Sequence, residues 1–414
     1  MSQVVQPHNT DRLRDVYLAR QPIFDANLNV VAYEVLFRNS VENRVTIEDQ
    51  NQATSELLVN AFIEIGLKAV VGEHRAFVNL PREFLTGNYP LPLEADRLVL
   101  EILEDVVIDD ELLEGVGQLV ERGHTIALDD VVFREDLRPL LQLAQIVKVE
   151  LPAIPNHELA NHVKQFRQYP VTLLAEKVET SEEFEFCKAL GFNLFQGYFL
   201  SRPVMLNSRR PRNSQLAILQ LIKNLAGPNF KIDKVERTVQ SDATLTYKML
   251  HYINSSQFGM HHKISSLRQA IMLLGPSRIR TLATLVSLSG FTSKPCELLK
   301  TALQRAMFCE RIGRLTHANE VQSYFVAGLL SLLDALADMP LRELLKPVPL
   351  DEEIKAALLD HDGPLGATVR CAIALERADW DRVPCGTLTP AEIRTAYVES
   401  LREVDTFWAE IASE

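Results

Sequence analysis

Acidic and amide side chains follow the apolar runs of the first half of the sequence, near the points where those runs end. Residues 171–175 form one such run, and Glu176 and Glu179 come soon after it. An unpaired carboxylate beside a buried strand is costly unless a cation or hydrogen-bond donors share its surroundings. The side chains in comparable positions are Glu34, Asn79, Glu101, Asp129, Asp130, Lys148, Glu176, Glu179 and Gln196.

This set of residues points to a site for divalent metal ions. So many carboxylates cannot all be ionised in one cavity without cations, and oxygen-rich clusters suit Mg²⁺ or Mn²⁺. One or two such ions could activate a water and stabilise a phosphodiester during an in-line displacement, with Lys148 as a base or a charge stabiliser. Taken singly, each acid is more often a helix N-cap or a solvated loop residue. Only their recurrence at successive strands favours a shared site.

The elements that must position these side chains alternate between strands and helices. Apolar runs predict strands, and amphipathic patterns predict helices at 52–65 and 111–122. Repeated strand–helix units favour a parallel barrel or a doubly wound sheet. The recurring polar residues favour the barrel, because residues at the carboxyl ends of barrel strands meet at one mouth. The predicted strands are 30–36, 75–80, 97–102, 124–128, 145–149 and 171–175, with a last short one reaching Gln196.

Short motifs spaced along residues 17–203 resemble the EAL domain family. Members of that family are (β/α)₈-type barrels that bind cyclic di-GMP and, when active, linearise it with two divalent ions. The matching motifs are Gln21-Pro22-Ile23, Glu34-Val35-Leu36-Phe37-Arg38, Phe77-Val78-Asn79-Leu80, Glu101-Ile102-Leu103-Glu104, Asp129-Asp130 and Gln196-Gly197-Tyr198.

The resemblance implies roles for individual residues. The implied metal ligands, of which Asp130 would serve a second ion, are Glu34, Asn79, Glu101, Asp129, Asp130 and Glu176. The catalytic candidates are Lys148 near the attacking water, Glu104 supporting the loop after the double aspartate, and Glu179. The candidates for contact with the nucleotide are Gln21, Arg38 and Gln196.

Three departures from the family pattern bear on activity. The double aspartate of active members precedes a glycine-rich loop, whereas here it precedes Val131-Val132, and β-branched residues resist positive φ. Glu150 stands where the pattern has aspartate, and Lys177 stands where it has glycine. Lys177 could reach into the acidic mouth and neutralise carboxylates, or it could point to solvent. We therefore expect weak or absent hydrolysis, with nucleotide binding retained.

The second half reads as an all-α bundle after a polar, basic linker at residues 206–213. Apolar stripes predict several helices between residues 216 and 289 and one continuous helix over 321–337. Its residues 251–259 and 264–275 are similar to the HDOD family of HD-related output domains, which lack the metal ligands of HD phosphohydrolases. The literal dipeptide His361-Asp362 lies in a segment rich in helix breakers, and His261-His262 lacks nearby carboxylates, so we expect no metal site in this half. The predicted domains are the barrel at 1–205, the linker at 206–213 and the HDOD domain at 214–414.

Composition limits the remaining function classes. The 414 residues carry a net charge of −12 with a pI near 5.4, which argues against general nucleic-acid binding. The start of the sequence is too polar for a signal peptide, no apolar run is long enough to span a bilayer, and the five cysteines are scattered. We expect a cytoplasmic signal-transduction protein.

Three functions remain open for this protein. The first is a cyclic di-GMP receptor or degenerate phosphodiesterase whose HDOD domain contacts signalling proteins, with Mg²⁺ or Mn²⁺ as the expected ion and a homodimer left open. The alternatives are an active metal-dependent phosphodiesterase and a scaffold that ignores the nucleotide.

Overall fold

The computed structural model describes residues 16–39, 66–87, 95–199, 295–346 and 350–412. The predicted helix at 52–65, the linker, His261-His262 and the helices predicted between 216 and 289 lie outside these ranges. The chain divides into two compact units. One contains Met1–Leu200 with Leu375–Trp380 and Thr389–Arg394, and the other contains Ser201–Ala374, Asp381–Leu388 and Thr395–Glu414. The domain bounds expected from the sequence stay a prediction.

The first unit contains a closed barrel of eight strands in the order of the sequence. The last six pairings between neighbours from β2 to β8 are parallel, as the alternating pattern predicts. The strands are β1 (Val16–Asp25), β2 (Val30–Asn39), β3 (Arg75–Asn79), β4 (Leu98–Ile102), β5 (Thr125–Leu128), β6 (Ile146–Glu150), β7 (Thr172–Glu176) and β8 (Leu194–Phe195).

Strand β1 departs from the expected parallel barrel, and the sequence patterns did not predict it as a strand. It runs antiparallel to both β2 and β8. Only four residues separate it from β2, so the connection is a hairpin, and a parallel crossover needs a much longer segment. The Asp25 carboxylate fixes this turn by accepting hydrogen bonds from the backbone N–H groups of Asn27 and Asn29 at 2.8 and 2.9 Å.

Helices cover the outside of the barrel and leave its interior to apolar side chains. The helices are α1 (Leu67–Val71), α2 (Arg82–Leu85), α3 (Asp110–Glu121), α4 (Arg138–Leu143), α5 (Asn156–Phe166) and α6 (Ser181–Leu190). One layer of the interior consists of Ile23, Ala32, Phe77, Val99, Ala127, Ile146 and Leu174. This packed layer makes the barrel a solid core, so polar chemistry is confined to the rim.

The described residues from 295 to 412 form helices and no strand, in line with the predicted all-α half. The helices are α7 (Cys296–Leu315), α8 (Val321–Leu330), α9 (Leu333–Ala337), α10 (Leu341–Leu345), α11 (Glu352–Leu359), α12 (Gly363–Glu376) and α13 (Pro390–Ala412). Among the described residues, no helix combines the length and apolarity that a membrane span requires.

One helix that the apolar pattern favoured, over residues 321–337, is interrupted between α8 and α9. The Ser331 hydroxyl donates to the Gly328 carbonyl oxygen at 2.6 Å and accepts from the Arg305 guanidinium at 2.8 Å. A serine hydroxyl that bonds back to the preceding turn competes with the regular helix bonds. The expectation of a continuous helix was therefore wrong at Ser331.

Candidate functional site

Several strands of the barrel place acidic side chains around one point at the rim. Glu101 lies in β4, Asp129 directly follows β5, and Glu176 ends β7. Glu34 lies in the middle of β2 rather than near its end, because the hairpin with β1 extends β2 to Asn39. Each of these four side chains is buried. The convergence predicted from the sequence is therefore present in the structure.

Lys148 lies at the centre of the four acids. Its side chain rises from the middle of β6 and is fully buried. Its ammonium Nζ lies 2.5 Å from Glu101, 2.6 Å from Asp129, 3.0 Å from Glu176 and 3.4 Å from Glu34. One ammonium among four ionised carboxylates would leave three uncompensated negative charges. The cluster therefore needs protons or a further cation.

Burial and neighbouring charges both shift the pKa values of the groups in this cluster. Burial raises the pKa of the Glu101 and Glu176 carboxyls well above the ordinary glutamate value, and the neighbouring acids add to this while Lys148 opposes it. Burial by itself would lower the pKa of Lys148, but the surrounding carboxylates raise it well above its ordinary value. Lys148 therefore stays charged at neutral pH.

Several buried oxygens of the cluster accept no aligned hydrogen bond from the part of the chain that the structure describes. They are the Asn79 Oδ1, both carboxylate oxygens of Glu101, Asp129 Oδ1 and Glu176 Oε2. Asn79 ends β3 and pairs in register with Glu101. Lys148 contacts Glu101 Oε1 and Asp129 Oδ1, but the other oxygens of this group have no such contact. Buried oxygens of this kind are the ligands that hard divalent ions take. The residues present therefore fit a hard divalent ion.

The acids form two overlapping groups that could each hold an ion. Carboxylate oxygens of Glu34, Glu101 and Asp129 lie within 4.8 Å of one another, and so do those of Asp129, Asp130 and Glu176. Asp129 belongs to both groups. Two such sites sharing a carboxylate resemble the arrangement of two-metal centres that act on phosphodiesters.

A chain of glutamine hydrogen bonds borders the acids on the side of β1. The Gln196 amide donates to Glu34 Oε2 at 2.5 Å and to Gln21 Oε1 at 2.9 Å. The Gln21 amide in turn donates to the Tyr198 hydroxyl at 2.9 Å. Gln21 and Gln196 thus stand together beside the acids, and their contact with a nucleotide stays a prediction. Tyr198 received no role from the sequence, although its place in the Gln196-Gly197-Tyr198 motif was a usable signal.

Gly197 fixes the approach of this segment to the loop after β7. A Cβ on Gly197 would lie 2.1 Å from the Val178 carbonyl oxygen and 2.5 Å from the Val178 nitrogen, and its φ is +150°. The Val178 N–H donates to the Gln196 carbonyl oxygen at 3.0 Å. Only glycine allows this close approach, which brings Gln196 next to the acids.

Three predicted residues do not belong to the buried cluster. Arg38, Glu104 and Glu179 are exposed, and neither acid belongs to the two groups with metal-ligand geometry. The backbone N–H of Glu179 donates to the Glu183 carboxylate at 2.7 Å, which ties this residue to the start of α6. The roles assigned to these three residues stay predictions.

The side chains at the two positions that depart from the family pattern, Glu150 and Lys177, form an ion pair. Lys177 Nζ lies 2.7 Å from Glu150 Oε1, and the lysine side chain is 57% exposed. Lys177 has a φ of +55° and Asp130 a φ of +46°, which is the left-handed region where glycine is at ease. Position 177 therefore adopts a positive φ without being glycine, and Lys177 pairs with Glu150 at the edge of the acidic mouth.

Comparisons with known proteins agree with the motifs. The profile of the EAL domain matches residues 9–203, and that of the HDOD domain matches residues 214–341. Among solved structures, a complex of the PaMucR phosphodiesterase with c-di-GMP is 24% identical and covers 46% of this chain and 96% of that chain, with a TM-score of 0.38.

Two curated relatives span most of the chain. The cyclic di-GMP phosphodiesterase CdgJ of Vibrio cholerae is 35% identical over 383 residues, which cover 90% of this chain and 88% of CdgJ. The uncharacterized protein YuxH of Bacillus subtilis is 33% identical over 376 residues, which cover 88% of this chain and 92% of YuxH. The chain therefore belongs to the family of signal-transduction proteins that join an EAL domain to an HDOD domain.

Proposed function

We propose that the EAL barrel binds cyclic di-GMP together with divalent ions and cleaves it slowly, as a degenerate phosphodiesterase. The observation that carries this proposal is the convergence of buried carboxylates around Lys148. Beside them, Asn79 Oδ1 and Glu176 Oε2 accept no aligned hydrogen bond within the described residues. The relative CdgJ, named a cyclic di-GMP phosphodiesterase, is similar over nearly the whole chain. The HDOD half would pass the state of the barrel to protein partners.

The acids would form two metal sites that share Asp129. Glu34, Glu101, Asp129 and Asn79 would hold one ion, while Asp130 and Glu176 would share Asp129 toward a second. A bound divalent ion supplies a Lewis acid and lowers the pKa of its water, which makes hydroxide available near neutral pH.

Lys148 would act through its charge rather than as a proton acceptor. A general base works best with a pKa near the working pH, and the surrounding carboxylates raise the pKa of Lys148 well above that range. Its ammonium would instead offset negative charge at the centre of the cluster. Gln196 and Gln21 would fix the nucleotide beside Glu34, since their amides already form a continuous hydrogen-bonded chain there.

A second candidate is a receptor that binds cyclic di-GMP without cleaving it. Lys177 favours this alternative, because it stands where active members of the family have glycine, and the nearby acids Asp130 and Glu176 help to raise its pKa. The two candidates share the ligand and differ only in turnover.

The test is calorimetry of the full chain with cyclic di-GMP in the presence of Mg²⁺, Mn²⁺ or Ca²⁺, with the same samples chromatographed for the linear product. Binding with slow product formation supports the degenerate enzyme, and binding without product supports the receptor. Glu34→Gln should abolish metal-dependent product, whereas Glu121→Gln, an exposed acid on α3, should leave it unchanged. Absence of nucleotide binding under all three metals would refute both candidates.

A further inference from the structure

A short segment late in the chain belongs to the same compact unit as the barrel. This segment, Leu375–Trp380, starts at the end of α12. It lies outside residues 9–203, which match the EAL domain, and outside residues 214–341, which match the HDOD domain. No sequence motif assigns it a role, so its contacts with the barrel are the guide to what it does.

The backbone of this segment closes the glutamine chain that borders the acids. The Glu376 carbonyl oxygen accepts a hydrogen bond from the Tyr198 hydroxyl at 2.9 Å and another from the Gln21 amide at 3.2 Å. The Gln21 amide also donates to the Tyr198 hydroxyl, and its Oε1 accepts from Gln196. These bonds hold the Gln21 amide in one orientation. The segment therefore positions Gln21 and Tyr198 beside the acidic mouth.

The other end of the segment lies along β1. The Trp380 ring stacks on the Tyr17 ring, with 6.3 Å between the ring centres and 21° between the planes. Tyr17 pairs in register with Arg38 of β2, just as Gln21 pairs with Glu34. The segment thus follows β1 from the level of Glu34 to the level of Arg38. This is the side of the mouth where the nucleotide contacts are predicted.

Arg377 places a positive charge in this segment. Its guanidinium carbon lies 5.1 Å from the centre of the Tyr198 ring, and its side chain is exposed. Within the described residues, no carboxylate forms an ion pair with it. A guanidinium that lies on an aromatic face keeps its N–H groups available at its edges. These N–H groups form a planar fork that matches two oxygens of one phosphate group.

The charge of the mouth explains why an anionic ligand needs such a group. Four buried acids surround the single ammonium of Lys148, so the mouth repels phosphate unless cations offset the acids. Cyclic di-GMP carries two phosphodiester groups, and each is negatively charged at neutral pH. Ions held by the acids can meet one of these groups. The other group needs a cation elsewhere at the rim.

We propose that Arg377 binds the phosphodiester group of cyclic di-GMP that the ions do not hold, while the Glu376 carbonyl positions Gln21 and Tyr198 beside it. This inference rests on the proposed function, since it needs cyclic di-GMP at the acidic mouth. It adds a nucleotide contact from a segment outside the residues that match the EAL domain. The nucleotide site is then complete only in the full chain.

The test is calorimetry of the full chain with cyclic di-GMP at saturating Mn²⁺. Arg377→Gln should bind the nucleotide about tenfold more weakly than the wild type, because it loses a hydrogen-bonded contact with a charged group. Its affinity should also fall less steeply with added salt, since salt screens an exposed contact between opposite charges. A residue that only supported the fold would not change this salt dependence.

A matched variant and a metal titration serve as controls. Arg122→Gln makes the same change at an exposed arginine where α3 ends, close to the start of β5 and at the opposite end of that strand from Asp129. It should bind cyclic di-GMP as the wild type does. Mn²⁺ binding without nucleotide should be the same in the wild type and both variants, because Arg377 forms no ion pair with the acids of the cluster within the described residues.

The outcomes separate this inference from the proposed function. Equal nucleotide affinity in Arg377→Gln and the wild type, or an equal loss in Arg122→Gln, would overturn the inference and leave the proposed function standing. So would a loss with unchanged salt dependence, or one accompanied by weaker Mn²⁺ binding. No cyclic di-GMP binding by the wild type would overturn both. Weaker binding with a reduced salt dependence in Arg377→Gln alone, and unchanged Mn²⁺ binding, would support the inference.

Discussion

Replacing Lys148 with methionine tests how strongly a single ammonium stabilises the acidic cluster. Methionine fills a similar volume but carries no charge, so Lys148→Met leaves the four surrounding carboxylates without their central cation. The ammonium is fully buried and contacts Glu101 and Asp129 at 2.5 and 2.6 Å. The perturbation therefore removes charge and little else.

The expected cost follows from the burial of the partners that remain. Removing one member of a buried ion pair costs about 3–5 kcal/mol, because it leaves an uncompensated buried charge. Protonation of Glu101 and Glu176, whose pKa values are already raised by burial, would hold the loss near the lower end of that range. We expect about 3 kcal/mol for the metal-free protein, and a smaller deficit when saturating Mn²⁺ replaces the lost charge.

Hydrogen exchange of the full chain in EDTA measures this loss at the barrel itself. The amides of β6 should exchange more than about a hundredfold faster in Lys148→Met, since each 1.4 kcal/mol corresponds to a factor of ten. Lys164→Met, which removes an exposed lysine, serves as the control and should leave β6 unchanged. Equal exchange rates of β6 in Lys148→Met and the wild type would refute the idea that Lys148 stabilises the cluster by its charge.

Four glycine and capping variants test how the barrel is built. A Cβ on Gly115 would lie 2.3 Å from a backbone oxygen of α2, whereas a Cβ on Gly117 in helix α3 would have no atom within 4 Å. In urea titrations the free energy of unfolding should fall by about 2 kcal/mol in Gly115→Ala and rise by up to about 1 kcal/mol in Gly117→Ala. Equal effects of the two substitutions would contradict this packing. Gly197→Ala should lower stability by about 3 kcal/mol in the same assay, because its Cβ would overlap the backbone of Val178; a wild-type midpoint would disprove that contact. Thr180 caps α6 in a capping box. Thr180→Ala should therefore destabilise the helix by about 1 kcal/mol and speed hydrogen exchange of the α6 amides. Unchanged exchange in α6 would argue against the cap.

The parallel strands were predictable because their sequences repeat a local pattern. Apolar runs followed by polar residues gave six of the barrel strands to within one to three residues at each end. Strand β1 was missed, since the segment Val16–Asp25 mixes Arg20, Gln21 and Pro22 into its apolar residues. Its partners in β2 and β8 decide its conformation, and a pattern confined to one segment cannot report them.

The acidic residues and their convergence at one mouth were predictable, while the exposure of other predicted residues was not. Motif spacing identified Glu34, Asn79, Glu101, Asp129 and Glu176 together with Lys148, and the structure brings the acids of this list around the lysine. The positions of Arg38, Glu104 and Glu179 on the exposed surface were not readable from the motifs. Exposure depends on how each strand end turns, and this turn is set by residues far away in the chain.

The domain families, the alternating elements of the barrel and the supply of carboxylates follow from residue type and spacing along the chain. The pairing of Lys177 with Glu150 does not, because the sequence left Lys177 open between the acidic mouth and solvent. This pairing depends on the register of β6 against β7 and on the left-handed backbone at Lys177. The interaction energy of two charges depends on the distance between them, and the barrel must fold before Lys177 and Glu150 come close.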